Sequence, residues 1–161
     1  MLVPFDQLSE TSRVWVYQCN RTLSIDEIAI IKTELDAFLE QWTAHGASLK
    51  AGYDLPYHRF IILAIDQSET GASGCSIDAS VRFIQSLEQR FDVDLLDKMN
   101  VSFKQGEYVA YKTLLDFRKM AKDKAVSKST IVFNNLVNTI AEYRTDWEIP
   151  AEDSWHSRFI S

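Results

Sequence analysis

The chain has 161 residues, a length that suits one ordinary domain with a full hydrophobic core, so we expect a single domain over residues 1–161. Hydrophobic residues make up 46% and charged residues 25%, which disfavours disordered, collagen-like and membrane classes. The formal net charge of -6 argues against nucleic-acid binding. The longest apolar run, residues 60–65, is far shorter than the roughly 20 residues that cross a bilayer. Because no targeting segment is visible either, we expect a soluble cytoplasmic protein.

The N-terminal part of the chain predicts a strand followed by an amphipathic helix. Residues 13–18 are β-branched and aromatic, which favours a short central strand. Ser24 and Glu27 have the spacing of a capping box in front of an apolar stripe with helical period. We expect His45 and Gly46 to stop this helix. The stripe comprises Ile28, Ile31, Leu35, Phe38, Leu39 and Trp42.

The next segment predicts a hairpin and a second helix. Residues 49–54 and 57–65 read as an edge strand and a buried strand on either side of a proline. Residues 67–76 are rich in Gly, Ser and Thr and predict a loop that opens the second helix, with Ser76 as its cap and Asp78 in its first turn. The buried stripe of that helix is expected to comprise Ile77, Val81, Ile84 and Leu87.

The remaining elements are a second hairpin and a C-terminal extension. Residues 99–104 and 107–112 predict the hairpin, because apolar and polar residues alternate around a Gln-Gly pair. A short helix near residues 114–121, a strand at residues 130–133 and a helix over residues 137–147 follow.

The order strand, helix, strand, strand, helix, strand over residues 13–104 predicts an α+β fold of ferredoxin-like type, with an antiparallel sheet and two helices on one face. Residues 105–161 are then an extension that adds a hairpin strand and further helical and strand elements. A doubly wound parallel sheet is the alternative. The short connection at Pro56 argues against it, because parallel neighbours need a long crossover.

The tail carries Trp147, Trp155 and Phe159, which are expected to pack on the body of the protein. Ser154 and His156 are interpreted as polar neighbours of an aromatic anchor. A catalytic Ser/His pair is not favoured, because neighbouring residues on a strand point to opposite faces. The alternative that the aromatic residues of the tail are exposed and bind a partner is left open.

The predicted topology brings His45, Asp66 and Cys75 to one rim of the sheet. A cysteine at a helix start experiences the positive end of the helix dipole, which favours thiolate. Cys75 is thus a candidate nucleophile, with His45 as its base and Asp66 orienting the base. The structural alternative is favoured: Cys75 serves as a small packed residue, Asp66 caps a strand end and His45 complements its own helix terminus.

The same loop is a candidate anion site formed by Ser73, Gly74, Ser76 and Asp78. Backbone N–H groups at the start of a helix bind phosphate or carboxylate, although Asp78 adds negative charge there. The glycine spacing is not that of a nucleotide-binding loop. No zinc or calcium pattern is present, and no metal or cofactor is expected.

Two further features are interpreted structurally. Cys19 and Cys75 are expected to be free and to lie at opposite ends of the sheet. The basic stretch over residues 118–128 is interpreted as a solvated helix end and loop in preference to a phosphate site, because Asp123 interrupts it.

Five segments carry a resemblance that covers nearly the whole chain. They are VWVYQCNR (residues 14–21), QWTAHGASLKA (41–51), GASGCSIDASVRFI (71–84), IVFNNLV (131–137) and SWHSRF (154–159). Together they resemble a family of short proteins from Bacteroidetes-type bacteria, whose members sometimes bear the label "ABC transporter ATPase". The residues do not support that label, because the chain has no GxxxxGK[ST] loop. The resemblance implies that residues 71–84 are a family hallmark.

The favoured function is non-enzymatic binding of a small anion or a protein partner at the rim that holds the GASGCS loop. The alternative is a thiol-dependent enzyme that uses Cys75. An interaction module built on the tail aromatics is a third hypothesis, and assembly into a homo-oligomer is left open.

Overall fold

The computed structural model describes residues 1–160 and shows a mixed α+β protein that divides into two compact units. The first unit comprises Met1–Leu96 with Asn138–Ile140, and the second comprises Asp97–Val137 with the residues from Ala141 onward. The helices of the described residues are α1 (Ile25–Glu40), α2 (Gly74–Phe91), α3 (Leu114–Lys122) and α4 (Ile140–Asp146). The strands are β1 (Arg13–Gln18), β2 (Thr43–Ala44), β3 (Ala47–Ser48), β4 (Lys50–Asp54), β5 (Phe60–Asp66), β6 (Asn100–Gln105), β7 (Tyr108–Thr113), β8 (Ile131–Phe133) and β9 (Glu148–Pro150).

An antiparallel sheet of order β1-β5-β4 forms the centre of the first unit. The prediction of a central β1 is wrong, because β5 lies between the other two strands and its continuous apolar sequence is buried on both faces. The N-terminal residues run beside β4, where the Val3 N–H donates to the Ala51 carbonyl at 2.8 Å. Gly52 permits this approach, since a Cβ there would lie 2.8 Å from the Val3 carbonyl oxygen.

Both long helices contribute to one hydrophobic core with alternate residues of β5. Ile61, Leu63 and Ile65 of β5 belong to the same buried cluster as α1 and α2 residues, as expected for two helices on one face. The Ser24 capping box is confirmed: the Glu27 N–H donates to Ser24 Oγ, and the Ser24 N–H donates to the Glu27 carboxylate. The buried residues of α2 are Ser76, Ser80, Ile84 and Leu87, so two serines occupy places predicted for Ile77 and Val81.

The second unit contains a separate sheet of order β7-β6-β8-β9. The β6–β7 hairpin is confirmed, and β6 also pairs with β8 through Phe103 and Val132. Because β6 uses both of its edges in this sheet, it does not complete the β1-β5-β4 sheet, and the ferredoxin-like order is not confirmed. A tight hairpin needs only adjacent residues to form, whereas the predicted pairing of β6 required a distant partner.

The C-terminal segment packs within the second unit, as expected for its aromatic residues. Trp155 and Phe159 lie against a core that includes Phe103 and Phe117. Residues 155–159 form a 3-10 helix, so the argument from strand geometry does not apply to the neighbouring serine and histidine. Ser154 Oγ and His156 Nδ1 are 2.7 Å apart and share a buried hydrogen bond.

Candidate functional site

The start of α2 is built by Ser73, and the prediction that Ser76 caps this helix is wrong. Ser73 Oγ accepts a hydrogen bond from the Ser76 N–H, and Ser76 Oγ accepts one from the Ser73 N–H. Helix α2 consequently begins at Gly74, and Cys75 is its second residue. The small residues of the loop thus form a reciprocal capping box, in which both serines satisfy backbone donors that would otherwise have no partner.

His45 lies in the turn of a short hairpin, and the prediction that it stops α1 is wrong. Helix α1 ends at Glu40, before the two-stranded β2–β3 hairpin begins. His45 and Gly46 form the turn with φ values of 51° and 79°. Positive φ at both central residues suits the twist of a two-residue hairpin loop, which explains the glycine. The turn leaves the His45 side chain exposed.

The structure brings His45 and Cys75 to one surface pocket of about 410 Å³, which we call the α2 pocket. It is formed by the first turn of α2, the end of α1 and the β2–β3 hairpin. Its other lining residues are Phe38, Gln41, Trp42, Thr43, Ser73, Ser76 and Ala79. Two of the three predicted catalytic residues therefore share a concave surface, which is the arrangement that ligand sites require.

An aromatic wall closes one side of the α2 pocket. The rings of Phe38 and Trp42 have centroids 5.4 Å apart, and Phe38 stacks on Phe83 at 4.5 Å. The Trp42 indole N–H donates to the Ser76 carbonyl at 2.8 Å, which ties the end of α1 to the start of α2. The sequence predicts Phe38 and Trp42 only as members of the buried stripe of α1. Their position at the end of that helix, next to the predicted rim, is the signal in the sequence for pocket residues.

Asp66 does not line the α2 pocket. It lines a smaller cavity of about 190 Å³ with Lys50 and Ser68 among its neighbours. The Ser68 N–H donates to Asp66 Oδ1 at 2.9 Å, and Lys50 Nζ lies 3.9 Å from Asp66 Oδ2. The hydrogen bond from Ser68 lowers the pKa of Asp66, with a smaller contribution from Lys50. This carboxylate closes a turn at the end of β5, which corresponds to the structural alternative stated for it.

Most of the backbone donors predicted for an anion already have partners. The Ser76 N–H bonds to Ser73 Oγ, and the Ile77 N–H bonds to the Ser73 carbonyl at 3.0 Å. The first amides of a helix have no carbonyl within the helix to bond, so Gly74 and Cys75 carry the donors that remain at this terminus. Asp78 is exposed one turn further along.

The two cysteines have opposite environments. The prediction that both are free is confirmed. Cys19 is buried, and burial raises the pKa of its thiol. Cys75 is exposed on the first turn of α2, so it is the thiol that a reagent in solution reaches.

Comparison of the chain with protein-family models, with curated proteins and with solved structures found no match in any of the three. Within residues 1–160, no helix combines the length and apolar character needed to span a membrane. The same residues contain no group of three or more His, Cys, Asp or Glu side chains arranged to hold a metal ion. The class that the fold defines is therefore a mixed α+β protein with a surface pocket at the start of α2.

Proposed function

We propose that this protein binds a small anionic ligand in the α2 pocket without transforming it. The ligand class is a carboxylate or phosphate attached to an apolar or aromatic group. The observation that carries the proposal is the lining of the pocket, which combines the first turn of an 18-residue helix with the rings of Phe38 and Trp42.

Each part of the ligand has a counterpart in this lining. Cys75 lines the pocket in the first turn of α2, where its backbone N–H has no carbonyl within the helix to bond and the helix dipole favours negative charge. His45 of the β2–β3 hairpin adds a polar side chain to the lining. Half-buried Phe38 offers apolar surface on which a ring can stack, and buried Trp42 packs beside it with ring centroids 5.4 Å apart.

The test is a thermal-shift titration with benzoate, which carries one carboxylate on one ring. At a benzoate concentration of about ten times its Kd, we expect the melting temperature to rise by about 3 °C, because a ligand that binds only the folded protein stabilises it. His45→Asn should reduce this rise, since asparagine keeps the positive φ of the turn but removes the imidazole.

The matched control is His58→Asn, because His58 is also exposed and also has a φ of 51°. It should leave the rise unchanged. A wild-type protein that shows no rise, or equal rises in the two variants, would contradict binding in the α2 pocket.

A thiol-dependent reaction is the second candidate, supported by the exposure of Cys75 in the same pocket as His45. In such a reaction His45 accepts the thiol proton, and the thiolate sulfur adds to the carbon of a substrate carbonyl group. The C=O π-electron pair moves to the oxygen, which takes the proton back from His45. The measurement is the rate of alkylation by iodoacetamide as a function of pH. If His45 activates Cys75, alkylation is already fast at about neutral pH and becomes slower in His45→Asn. A rate that follows an ordinary thiol in both proteins removes this candidate, and buried Cys19 should react only after unfolding.

A further inference from the structure

A second pocket, of about 510 Å³, lies within the second unit between α3 and the C-terminal 3-10 helix. We call it the basic pocket, because Arg118, Lys119 and Lys122 of α3 and Arg158 of the C-terminal helix line it. The other lining residues that the structure describes are apolar, and no acidic side chain is among these described residues. The chain as a whole has 17 basic and 23 acidic residues, so this arrangement runs against the overall charge.

The four cationic side chains of the basic pocket are exposed, and none of them forms an ion pair with another residue of the part of the chain that the structure describes. Arg118 and Lys122 are one helical turn apart, a spacing at which like charges repel. The helix dipole accounts for Lys119 and Lys122, which lie in the last turn of α3. It does not account for Arg158, which reaches the same pocket from a different segment. A bound anion would relieve the repulsion among all four.

One side of the basic pocket is apolar. Leu115 is exposed there, and Phe159 is half-buried. The Arg118 guanidinium lies 5.7 Å from the centroid of the Phe159 ring, so charge and aromatic surface adjoin. Phe159 in turn meets the edge of the Trp155 ring at 6.2 Å. A ligand that contacts Phe159 therefore changes the surroundings of a tryptophan whose indole N–H is directly observable.

We propose that the basic pocket binds a small soluble phosphomonoester whose apolar group rests on Leu115 and Phe159. A phosphomonoester is favoured over a carboxylate because it carries more than one negative charge at neutral pH and faces four cations. The planar guanidinium groups of Arg118 and Arg158 match phosphate oxygens in pairs. The volume suits a small molecule. This site is additional to the α2 pocket and shares no residue with it.

The test uses phenyl phosphate as the probe and the full chain labelled with nitrogen-15. We expect saturable shifts of the Trp155 indole N–H and of α3 amides. Inorganic phosphate should bind about tenfold more weakly, because it lacks the ring, which is worth about 1.4 kcal/mol. Phenol, which lacks the charge, should not bind. Equal affinities for phenyl phosphate and inorganic phosphate would overturn the apolar half of the assignment.

The double variant Arg118→Gln with Arg158→Gln should weaken phenyl phosphate binding at least about tenfold, as expected for loss of two charge-assisted contacts. The matched control is Lys98→Gln with Lys128→Gln, which removes the same charge from exposed sites of the same unit outside the pocket. The control should bind like the wild type. Equal affinity in the two double variants would overturn the proposal. All four side chains are exposed, so both variants should fold, which melting temperature checks.

Two further experiments distinguish a soluble ligand of the basic pocket from a lipid headgroup and from a ligand of the α2 pocket. A phosphomonoester next to an apolar group also occurs in a lipid headgroup, so the protein is centrifuged with phosphatidylcholine vesicles that contain phosphatidic acid. If the ligand is a soluble phosphomonoester, the protein stays in the supernatant. Cosedimentation that depends on Arg118 and Arg158 would overturn the proposal of a soluble ligand.

The variant His45→Asn should leave the Trp155 response to phenyl phosphate unchanged. Binding in the α2 pocket is reported by the Trp42 indole N–H instead. The two proposed sites can therefore be confirmed or refuted independently.

Discussion

Lowering the pH from about 7 to about 5 should destabilise this protein through one buried histidine. The His156 side chain has no exposed surface, and its Nε2 has no hydrogen-bond partner. Phe117 meets the ring edge-on and Trp155 stacks on it at 3.8 Å, so the surroundings are aromatic. Burial in these surroundings lowers the pKa of His156 to about 4, from 6.5 for an ordinary histidine.

The sign and size of the effect follow from this pair of pKa values. Between them the unfolded chain binds a proton at His156 and the folded chain does not, so protonation favours unfolding. The contribution to stability is complete above about pH 6.5 and is lost as the pH falls toward 4. Each pH unit in that window is worth about 1.4 kcal/mol. The full loss is therefore about 3 kcal/mol, of which about 2 kcal/mol is lost by pH 5.

The assay is urea denaturation at several pH values for the wild type, His156→Phe and His58→Asn. Phenylalanine has a similar shape and suits a site between Phe117 and Trp155, but it does not titrate. We expect a free energy of unfolding that falls with pH in the wild type and in His58→Asn, and one that is nearly constant from about pH 7 to about pH 5 in His156→Phe.

The carboxylate of Glu27 does not disturb this window. The hydrogen bond from Arg21 lowers the pKa of Glu27 to about 2, so the stability that Glu27 contributes is lost only as the pH falls below its unfolded value of about 4.5. A wild-type protein whose free energy of unfolding stays constant down to about pH 5 would refute this role of His156. So would a His156→Phe variant whose free energy of unfolding falls as steeply as that of the wild type.

Three substitutions test the local packing by the same denaturation assay. Gly52→Ala should cost about 1 to 3 kcal/mol, because the new Cβ would lie 2.8 Å from the Val3 carbonyl oxygen. Gly74→Ala is its counterpart and should stabilise the protein by up to about 1 kcal/mol. Gly74 lies in the first turn of α2, and a Cβ added there would have no atom within 4 Å apart from its chain neighbours and the backbone of its own helix. A loss of stability would contradict the assigned helix start. Ser24→Ala should cost about 1 kcal/mol through loss of the bond from the Glu27 N–H, and an unchanged midpoint would count against that cap.

Much of the candidate site was predictable because its parts are local. A glycine-rich loop in front of an apolar stripe predicted a helix that opens from residues 67–76, and α2 begins at Gly74. The cap was assigned to the wrong serine, since Ser73 and Ser76 both have suitable side chains and Ser73 takes the cap position. The histidine followed by glycine predicted a helix end, whereas it forms the turn of the β2–β3 hairpin. Asp66 was expected beside His45 and Cys75, whereas it lines a different cavity, because a carboxylate at a strand end bonds to whichever donors the following turn presents.

The basic pocket could not be predicted from the sequence, because its residues come from distant segments of the chain. In the sequence, the lysines and arginine of α3 predict a solvated helix end, because a single segment does not show which residues pack beside it. Arg158 and Phe159 come from the far end of the chain, and only the packing of the C-terminal helix brings them to α3. The charge density of a pocket depends on which distant segments of the chain pack together, and the amino-acid composition does not contain that information.

The sequence specified the helical and strand periods, although the buried face of α2 is shifted by one residue, from the predicted Ile77 and Val81 to Ser76 and Ser80. It was sufficient for the capping box of α1, for the two hairpins β4–β5 and β6–β7, and for the burial of β5, because each depends on neighbours along the chain. The tertiary structure alone decided that β1 is a flanking strand and that β6 pairs with β8. An alternating pattern specifies the faces of a strand but not its neighbours, since every strand edge offers the same backbone donors and acceptors to any partner.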